Sequence, residues 1–162
     1  INESIEKNLL QFQQNNLQII WQTGKVYYDG IIERTKNIDL SSIKIQQFIR
    51  EMNMAYAAAD IVVSRAGALS ISELCIIGKP SILIPSPNVS EDHQTKNAMA
   101  LVTKNAAILI KDVEAKDTID TTILNLLQDE TKLIELANNI KTLAKSNAAT
   151  EIVTAILQDI NH

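Results

Sequence analysis

The stretch from Asp60 to Gly78 carries the residues whose types and spacing point most directly to chemistry. A short apolar run at 61–63 is followed by a polar, glycine-containing turn at 64–67 and then by apolar residues near helical spacing. That order predicts a buried strand, a tight loop and a helix N-terminus. Because a helix N-terminus presents unpaired N–H groups and the positive end of the helix dipole, this turn is a candidate anion site.

Ser70 and Glu73 within this stretch admit two interpretations. Ser-x-x-Glu before an apolar run is a capping-box pattern, in which both side chains would bond the backbone at the start of their own helix. In the functional interpretation, Ser70 and neighbouring N–H groups contact a diphosphate, while Glu73 accepts two vicinal hydroxyls of a ribose. A carboxylate offers two acceptor oxygens and therefore suits a diol. The pattern alone leaves both interpretations open.

Arg65 lies where the predicted strand meets the loop, beside the candidate anion site. An ordinary surface arginine is the simplest interpretation. Arg65 is, however, one of only three arginines in the chain and adjoins the candidate anion site, which favours a specific role. Two roles remain open, a charge-assisted contact to a phosphate and a structural pair within the loops.

His93, Gln94 and Asn97 form a second polar group at a predicted helix N-terminus. His93 and Asn97 are four residues apart and share a helix face, with Gln94 beside them. An ordinary solvated first turn, capped by Ser90 or Asp92, is one interpretation. A binding site for an uncharged, polyhydroxylated group is the other, because amides and an imidazole both donate and accept hydrogen bonds.

Metal and cofactor signatures are absent from the sequence. It has one cysteine, two histidines and no pair of ligands at the spacing of a zinc site. It also has neither a Walker A loop nor a GxGxxG motif. We therefore expect no metal and no cofactor.

The elements that would position these residues alternate between strand and helix. The predicted strands are apolar throughout and lie at 18–22, 43–47, 61–63, 80–85 and 106–111. Predicted helices lie at 1–16, 26–36, 53–59, 68–77 and 93–104, and three further helical stretches follow between 119 and 160. This alternation predicts an α/β fold with a doubly wound, Rossmann-like parallel sheet. The polar loops at 47–52, 64–73 and 86–97 would then meet at the carboxyl edge of that sheet.

One feature departs from this fold, because the chain opens on a helix where such a domain opens on a strand. In the strand order 3-2-1-4-5-6 the first strand is central, so its absence would leave unpaired backbone groups between the strands at 18–22 and 61–63. We expect these two strands to pair directly, or the gap to be filled by a second chain. An edge left open would favour a homodimer.

The composition of the chain argues against several classes of function. A net charge of −4 without clustered Lys and Arg disfavours nucleic-acid binding. No apolar run reaches the ~20 residues of a membrane span, and we expect a soluble chain. The start at Ile1 rather than Met predicts a fragment of a longer protein. Cys75 lies among apolar residues, so we expect a buried, inert thiol.

Three motifs make the chain resemble a known family. These motifs are Arg-x-Gly-Ala-Leu-Ser-x-x-Glu at 65–73, Gln-x-x-Asn-Ala at 94–98 and Phe-Ile-x-x-Met at 48–52. In this order and spacing they resemble the C-terminal half of the bacterial MurG family, whose members transfer N-acetylglucosamine from UDP-GlcNAc to lipid I and so make lipid II of the peptidoglycan pathway.

The resemblance implies a single donor-binding domain at 1–162, one half of a two-domain GT-B glycosyltransferase. Its implied substrate-binding residues share one cleft and are Ile49 and Met52 at the uracil, Arg65, Ala68, Leu69 and Ser70 at the diphosphate, Glu73 at the ribose, and His93, Gln94 and Asn97 at the sugar. The family often has an amide where His93 stands, which leaves its role less defined. No residue in the chain is expected to be catalytic.

Two departures from the family bear on activity. The first strand with its glycine-rich loop is missing, and so is the acceptor-binding half that would hold lipid I and the general base. We therefore expect the chain alone to be inactive, and the whole enzyme to lie peripherally on the cytoplasmic face of the bacterial inner membrane. Two alternatives remain, a stand-alone nucleotide-sugar-binding subunit that needs a separate membrane-attached acceptor subunit, and a nonenzymatic domain that has lost its ligand.

Overall fold

A computed structural model describes residues 1–88 and 92–160 as alternating strands and helices. The strands are β1 (Ile19–Gln22), β2 (Ile43–Gln46), β3 (Val62–Ser64), β4 (Ser81–Leu83) and β5 (Ile108–Leu109). The helices are α1 (Asn2–Lys7), α2 (Leu9–Gln14), α3 (Lys25–Thr35), α4 (Met52–Ala58), α5 (Ala68–Ile77), α6 (His93–Val102), α7 (Ala115–Gln128), α8 (Glu130–Lys141) and α9 (Ala148–Ile160). All the strand pairs are parallel, as the alternating pattern predicts.

The strands form two sheets where a single one was predicted. One sheet pairs β1 with β2, and the other has the order β3-β4-β5. Within the described residues β1 and β3 share no ladder, so the predicted direct pairing of these two strands is wrong. The alternative expectation, that a second chain fills the gap, stays a prediction.

Side-chain packing joins the two sheets instead. One apolar cluster contains Trp21 and Ile43 from the first sheet together with Ile82 of β4 and Ile84, which follows β4. Val63 of β3 packs against the same cluster. Burial of apolar surface does not require strand pairing, so a common core can hold two sheets that share no hydrogen bonds.

The predicted first helix is divided at Asn8. The carboxamide of Asn8 donates to the carbonyl oxygen of Ser4 at 2.9 Å, in competition with the backbone bond that would continue the helix. Asn8 leaves helical geometry at φ −104° and ψ 11°, and α2 begins at the next residue. Both helices nevertheless pack on the core, because Ile5, Leu9 and Phe12 are all buried.

The stretch from Val62 to Leu83 folds as predicted. Helix α5 ends at Gly78, whose left-handed φ of 64° is accessible to glycine at little cost. Strand β4 is buried at each of its three residues, as expected for the middle strand of a sheet. Cys75 on α5 is also buried as predicted, and burial raises the pKa of its thiol.

The closing helices differ in how they pack. Helices α7 and α8 bury apolar residues in the core, whereas none of the residues 148–160 that form α9 is buried. Across the described part of the chain, no helix combines the length and the apolar content that crossing a lipid bilayer requires.

Candidate functional site

The corner between β3 and α5 presents backbone N–H groups at the carboxyl edge of the second sheet. The first intrahelical bond runs from the N–H of Ile71 to the carbonyl oxygen of Gly67, at 2.9 Å. The N–H groups of Ala68, Leu69 and Ser70 precede that bond, and among the described residues no side chain caps this helix start. These N–H groups belong to three of the four residues predicted at a diphosphate, the fourth being Arg65. The arrangement is suited to an anion, because the donors and the helix dipole point the same way.

The capping-box interpretation of Ser70 and Glu73 is wrong. Gly67 is the N-cap residue, with extended backbone at φ −66° and ψ 149°, so Ser70 lies inside the first turn of α5. Glu73 follows one turn later and is exposed. Its Oε2 accepts a hydrogen bond from the hydroxyl of Tyr56 on α4, at 3.1 Å. The carboxylate is thus held by a neighbouring helix beside the start of α5, and its ribose contact stays a prediction.

Arg65 connects the ends of the three strands of the second sheet. Its Nη1 donates to the carbonyl oxygens of Ile84 and Pro85, at 3.1 Å each, and lies 2.5 Å from Oδ1 of Asp112. The structure therefore places Arg65 in a loop pair, one of the two roles left open by the sequence. Its side chain keeps 36 % of its surface exposed, and its phosphate contact stays a prediction.

The loop after β2 brings Ile49 and Met52 to the carboxyl edge of the first sheet. The N–H of Ile49 donates to the side-chain oxygen of Gln22, at 2.8 Å. Ile49 is predicted at the uracil, and a base that accepts from its N–H would have to displace Gln22. Met52 is the half-buried first residue of α4.

An open depression of about 440 Å³ adjoins this loop. Its apolar lining comes from Ile20, Phe48, Ile49 and Met54, and Phe48 exposes 67 % of its surface. Exposed aromatic and aliphatic side chains beside backbone polar groups are what a planar heterocyclic base needs for stacking and hydrogen bonding.

The two amides of α6 tie neighbouring loops to the helix. Oε1 of Gln94 accepts from the N–H of Ser86, at 2.8 Å, and Nδ2 of Asn97 donates to the carbonyl oxygen of Ala66, at 3.1 Å. Each amide uses one polar atom in these bonds. Since a carboxamide has both a donor and an acceptor end, the predicted sugar contacts would use Nε2 of Gln94 and Oδ1 of Asn97.

The start of α6 differs from the predicted cap. Asp92 is the N-cap residue in left-handed geometry, at φ 55° and ψ 31°, and among the described residues no side chain caps the helix. Capping by the side chain of Asp92 is therefore wrong, and Ser90 lies outside the described residues. His93 is the exposed first residue of α6, and its predicted sugar contact remains a prediction.

The predicted residues thus lie on segments that follow the carboxyl ends of strands in both sheets. Ile49 follows β2, Arg65 follows β3, and α6 follows the loop after β4. The sequence did not identify Tyr56, Gln22 or Asp112, which hold predicted residues in place. In the part of the chain that the structure describes, no group of His, Cys, Asp and Glu side chains is arranged to hold a metal ion.

Known proteins are similar to this chain over nearly its whole length. The model of the glycosyltransferase family 28 C-terminal domain matches residues 1–152. A protein of Cytophaga hutchinsonii, named UDP-N-acetylglucosamine–N-acetylmuramyl-(pentapeptide) pyrophosphoryl-undecaprenol N-acetylglucosamine transferase, is 50 % identical over 161 residues, which are 99 % of this chain and 42 % of the relative. A protein of Porphyromonas gingivalis with the same name is 49 % identical over 162 residues, 100 % of this chain and 43 % of the relative.

A solved structure shares the fold. The crystal structure of Acinetobacter baumannii MurG superposes with a TM-score of 0.79 at 25 % identity, covering 96 % of this chain and 46 % of that one. The chain therefore spans less than half the length of the relatives that it matches. The family and the α/β class expected from the sequence are both confirmed, and the chain belongs to the glycosyltransferase family 28 C-terminal domain family.

Proposed function

We propose that this chain is the donor-binding half of an inverting glycosyltransferase that moves N-acetylglucosamine from UDP-GlcNAc to lipid I and so forms lipid II. The relatives' shared name, an N-acetylglucosamine transferase, supports the sugar and the reaction class. The observation that carries the proposal is the start of α5, where three backbone N–H groups lie ahead of the first helical bond and Glu73 follows within one turn.

This arrangement suits the leaving group of the transfer. As the bond between the sugar and UDP breaks, negative charge grows on the diphosphate. The N–H groups of Ala68, Leu69 and Ser70, together with the dipole of α5, would stabilise that charge without rearranging. Glu73 would hold the ribose, and Gln94 and Asn97 the hydroxyls of the sugar.

The acceptor and the general base belong to the rest of the enzyme in this proposal. Inversion at the anomeric carbon needs a base that activates the acceptor hydroxyl, and we assign that role to no residue of this chain. Contact with lipid I and the membrane surface is likewise assigned to the acceptor half. The stand-alone binding subunit would show the same donor site, so it differs only in how the two halves are encoded.

A titration of the chain with UDP-GlcNAc, UDP-glucose and UDP tests the proposal. We expect the amide resonances of residues 64–73 to shift with all three ligands, and UDP-GlcNAc to bind more tightly than UDP-glucose. The chain alone should not transfer sugar to lipid I. Absence of binding, or shifts confined to other residues, would contradict the proposed donor site.

A proline at Ala68 removes one of the proposed donors without disturbing the helix. Ala68 is the first residue of α5, where proline is favoured, and the extended backbone of Gly67 suits a residue before proline. Ala68→Pro should weaken UDP binding about tenfold, because a donor to a charged group is lost. Glu130→Pro, at the first position of α8, is the matched control and should leave UDP affinity unchanged.

A further inference from the structure

A hydrogen bond between Tyr56 and Glu73 links α4 to the proposed ribose ligand on α5. The two residues lie 17 residues apart in sequence, and the tyrosine hydroxyl donates to Oε2 of Glu73 at 3.1 Å. The ring of Tyr56 is half-buried and packs against the apolar cluster that contains Leu74 and Cys75 of α5. The hydroxyl is therefore fixed by the core, whereas the carboxylate that it contacts is exposed to solvent.

The direction of this hydrogen bond is defined. Burial is the larger cause and the hydrogen bond to Glu73 the smaller one, and together they raise the pKa of Tyr56 to about 12. The phenol therefore stays protonated near neutral pH and donates, while the carboxylate accepts. The phenol bond occupies one acceptor position of Oε2, and a carboxylate has further acceptor positions on both oxygens with which it can bind a ligand.

A Glu73 side chain that is already ordered in the free chain should bind its ligand more tightly. Glutamate is long and has many rotamers, and ordering such a side chain opposes binding unless it is already ordered in the free protein. A vicinal diol needs two acceptor atoms at a set separation and orientation, so it benefits more from a fixed carboxylate than a single hydroxyl does.

We propose that Tyr56 is a positioning residue for the nucleotide ribose, because it holds the Glu73 carboxylate in the orientation that accepts the two ribose hydroxyls. Tyr56 itself touches no ligand in this proposal. Its effect is on selectivity, since it strengthens binding of a ribose with both hydroxyls over one that lacks them. The inference rests on the proposed function, in which Glu73 is the ribose ligand.

The test compares UDP with 2′,3′-dideoxy-UDP, which lacks the diol, in titrations of the whole chain. Tyr56→Phe removes only the hydroxyl and keeps the ring that packs on the core. We expect it to weaken UDP binding about 3- to 10-fold and to leave binding of the dideoxy nucleotide unchanged. Glu73→Gln should weaken UDP binding at least as much, and adding Tyr56→Phe to it should cause no further loss.

The controls separate positioning from general stability. Tyr27→Phe, at a tyrosine of α3 that is 58 % exposed, should change neither affinity. Equal weakening of both nucleotides by Tyr56→Phe would show a structural role and overturn the inference. The inference would also be overturned if Glu73→Gln lowered the UDP affinity and Tyr56→Phe did not change it. That result would leave the proposed function standing. If the unmodified chain binds neither UDP nor UDP-GlcNAc, the proposed function fails and the inference fails with it.

Discussion

The guanidinium of Arg65 lies 2.5 Å from the carboxylate of Asp112, 47 residues further along the chain. The same guanidinium nitrogen bonds the carbonyl oxygens of Ile84 and Pro85. One side chain thereby links the segments that follow β3, β4 and β5. Because the loop of Arg65 leads directly into α5, this link sets where the candidate anion site lies relative to the sheet.

Replacing Asp112 with Asn should destabilise the chain by about 1 kcal/mol, measured by urea unfolding. The asparagine keeps the size of the side chain but loses the charge that pairs with Arg65, which retains its two carbonyl acceptors. The pair is partly shielded, with 36 % and 29 % of the two side-chain surfaces exposed, so it is screened less than a surface pair.

The pair between Lys7 and Asp117 is the matched control. It has a similar length, 2.6 Å, but its side chains are 53 % and 73 % exposed. Asp117→Asn should not change the unfolding midpoint measurably in physiological salt. Equal effects of the two substitutions would indicate that the Arg65–Asp112 pair contributes no more than an ordinary surface pair.

Gln94→Ala and Asn97→Ala should weaken UDP-GlcNAc binding more than UDP binding, because both amides are assigned to the sugar. The structure adds a second effect, since each also bonds a loop backbone. Each substitution should therefore lower stability by about 0.5–1.5 kcal/mol. Isothermal titration with both ligands, together with thermal unfolding, separates the effects. Equal loss for the two ligands would remove these residues from the sugar site.

The ionisation of Tyr56 should make stability depend on alkaline pH. Burial and the Glu73 hydrogen bond raise its pKa from 10.0 to about 12, so the folded chain opposes ionisation. The stability that the protonated phenol contributes is complete below pH ~10 and is lost as the pH rises towards ~12. In an absorbance titration of the chain, we expect a phenol step near pH 12 that Tyr56→Phe removes. A titration curve that Tyr56→Phe leaves unchanged in this range would contradict the assignment.

Local sequence patterns were sufficient to predict most elements around the site. The apolar run, polar turn and helix that end at Gly78 are governed by neighbouring residues, and β3, α5 and β4 fold accordingly. The capping-box prediction failed because a four-residue pattern does not state where the helix begins. Helix α5 starts at Ala68, two residues before Ser70 and directly after the extended backbone of Gly67.

Local sequence patterns could not predict contacts between elements that are distant in the chain. Gln22 bonds the N–H of Ile49 across 27 residues, and Tyr56 bonds Glu73 across 17. Both bonds depend on how strands and helices pack, which no local spacing specifies. The division into two sheets has the same origin, because apolar packing between Trp21, Ile43 and Ile82 takes the place of strand pairing.

Shortening the chain after Ser146, which removes α9, should leave its thermal stability nearly unchanged. None of the residues 148–160 is buried, and a helix of 13 residues adds little stability unless it packs on a core. Leu136→Ala in α8 is the matched contrast, since Leu136 is fully buried and its truncation should cost about 2–5 kcal/mol. Differential scanning calorimetry of the two variants gives the comparison. A shortened chain as destabilised as Leu136→Ala would show that α9 contributes to the core of the folded chain.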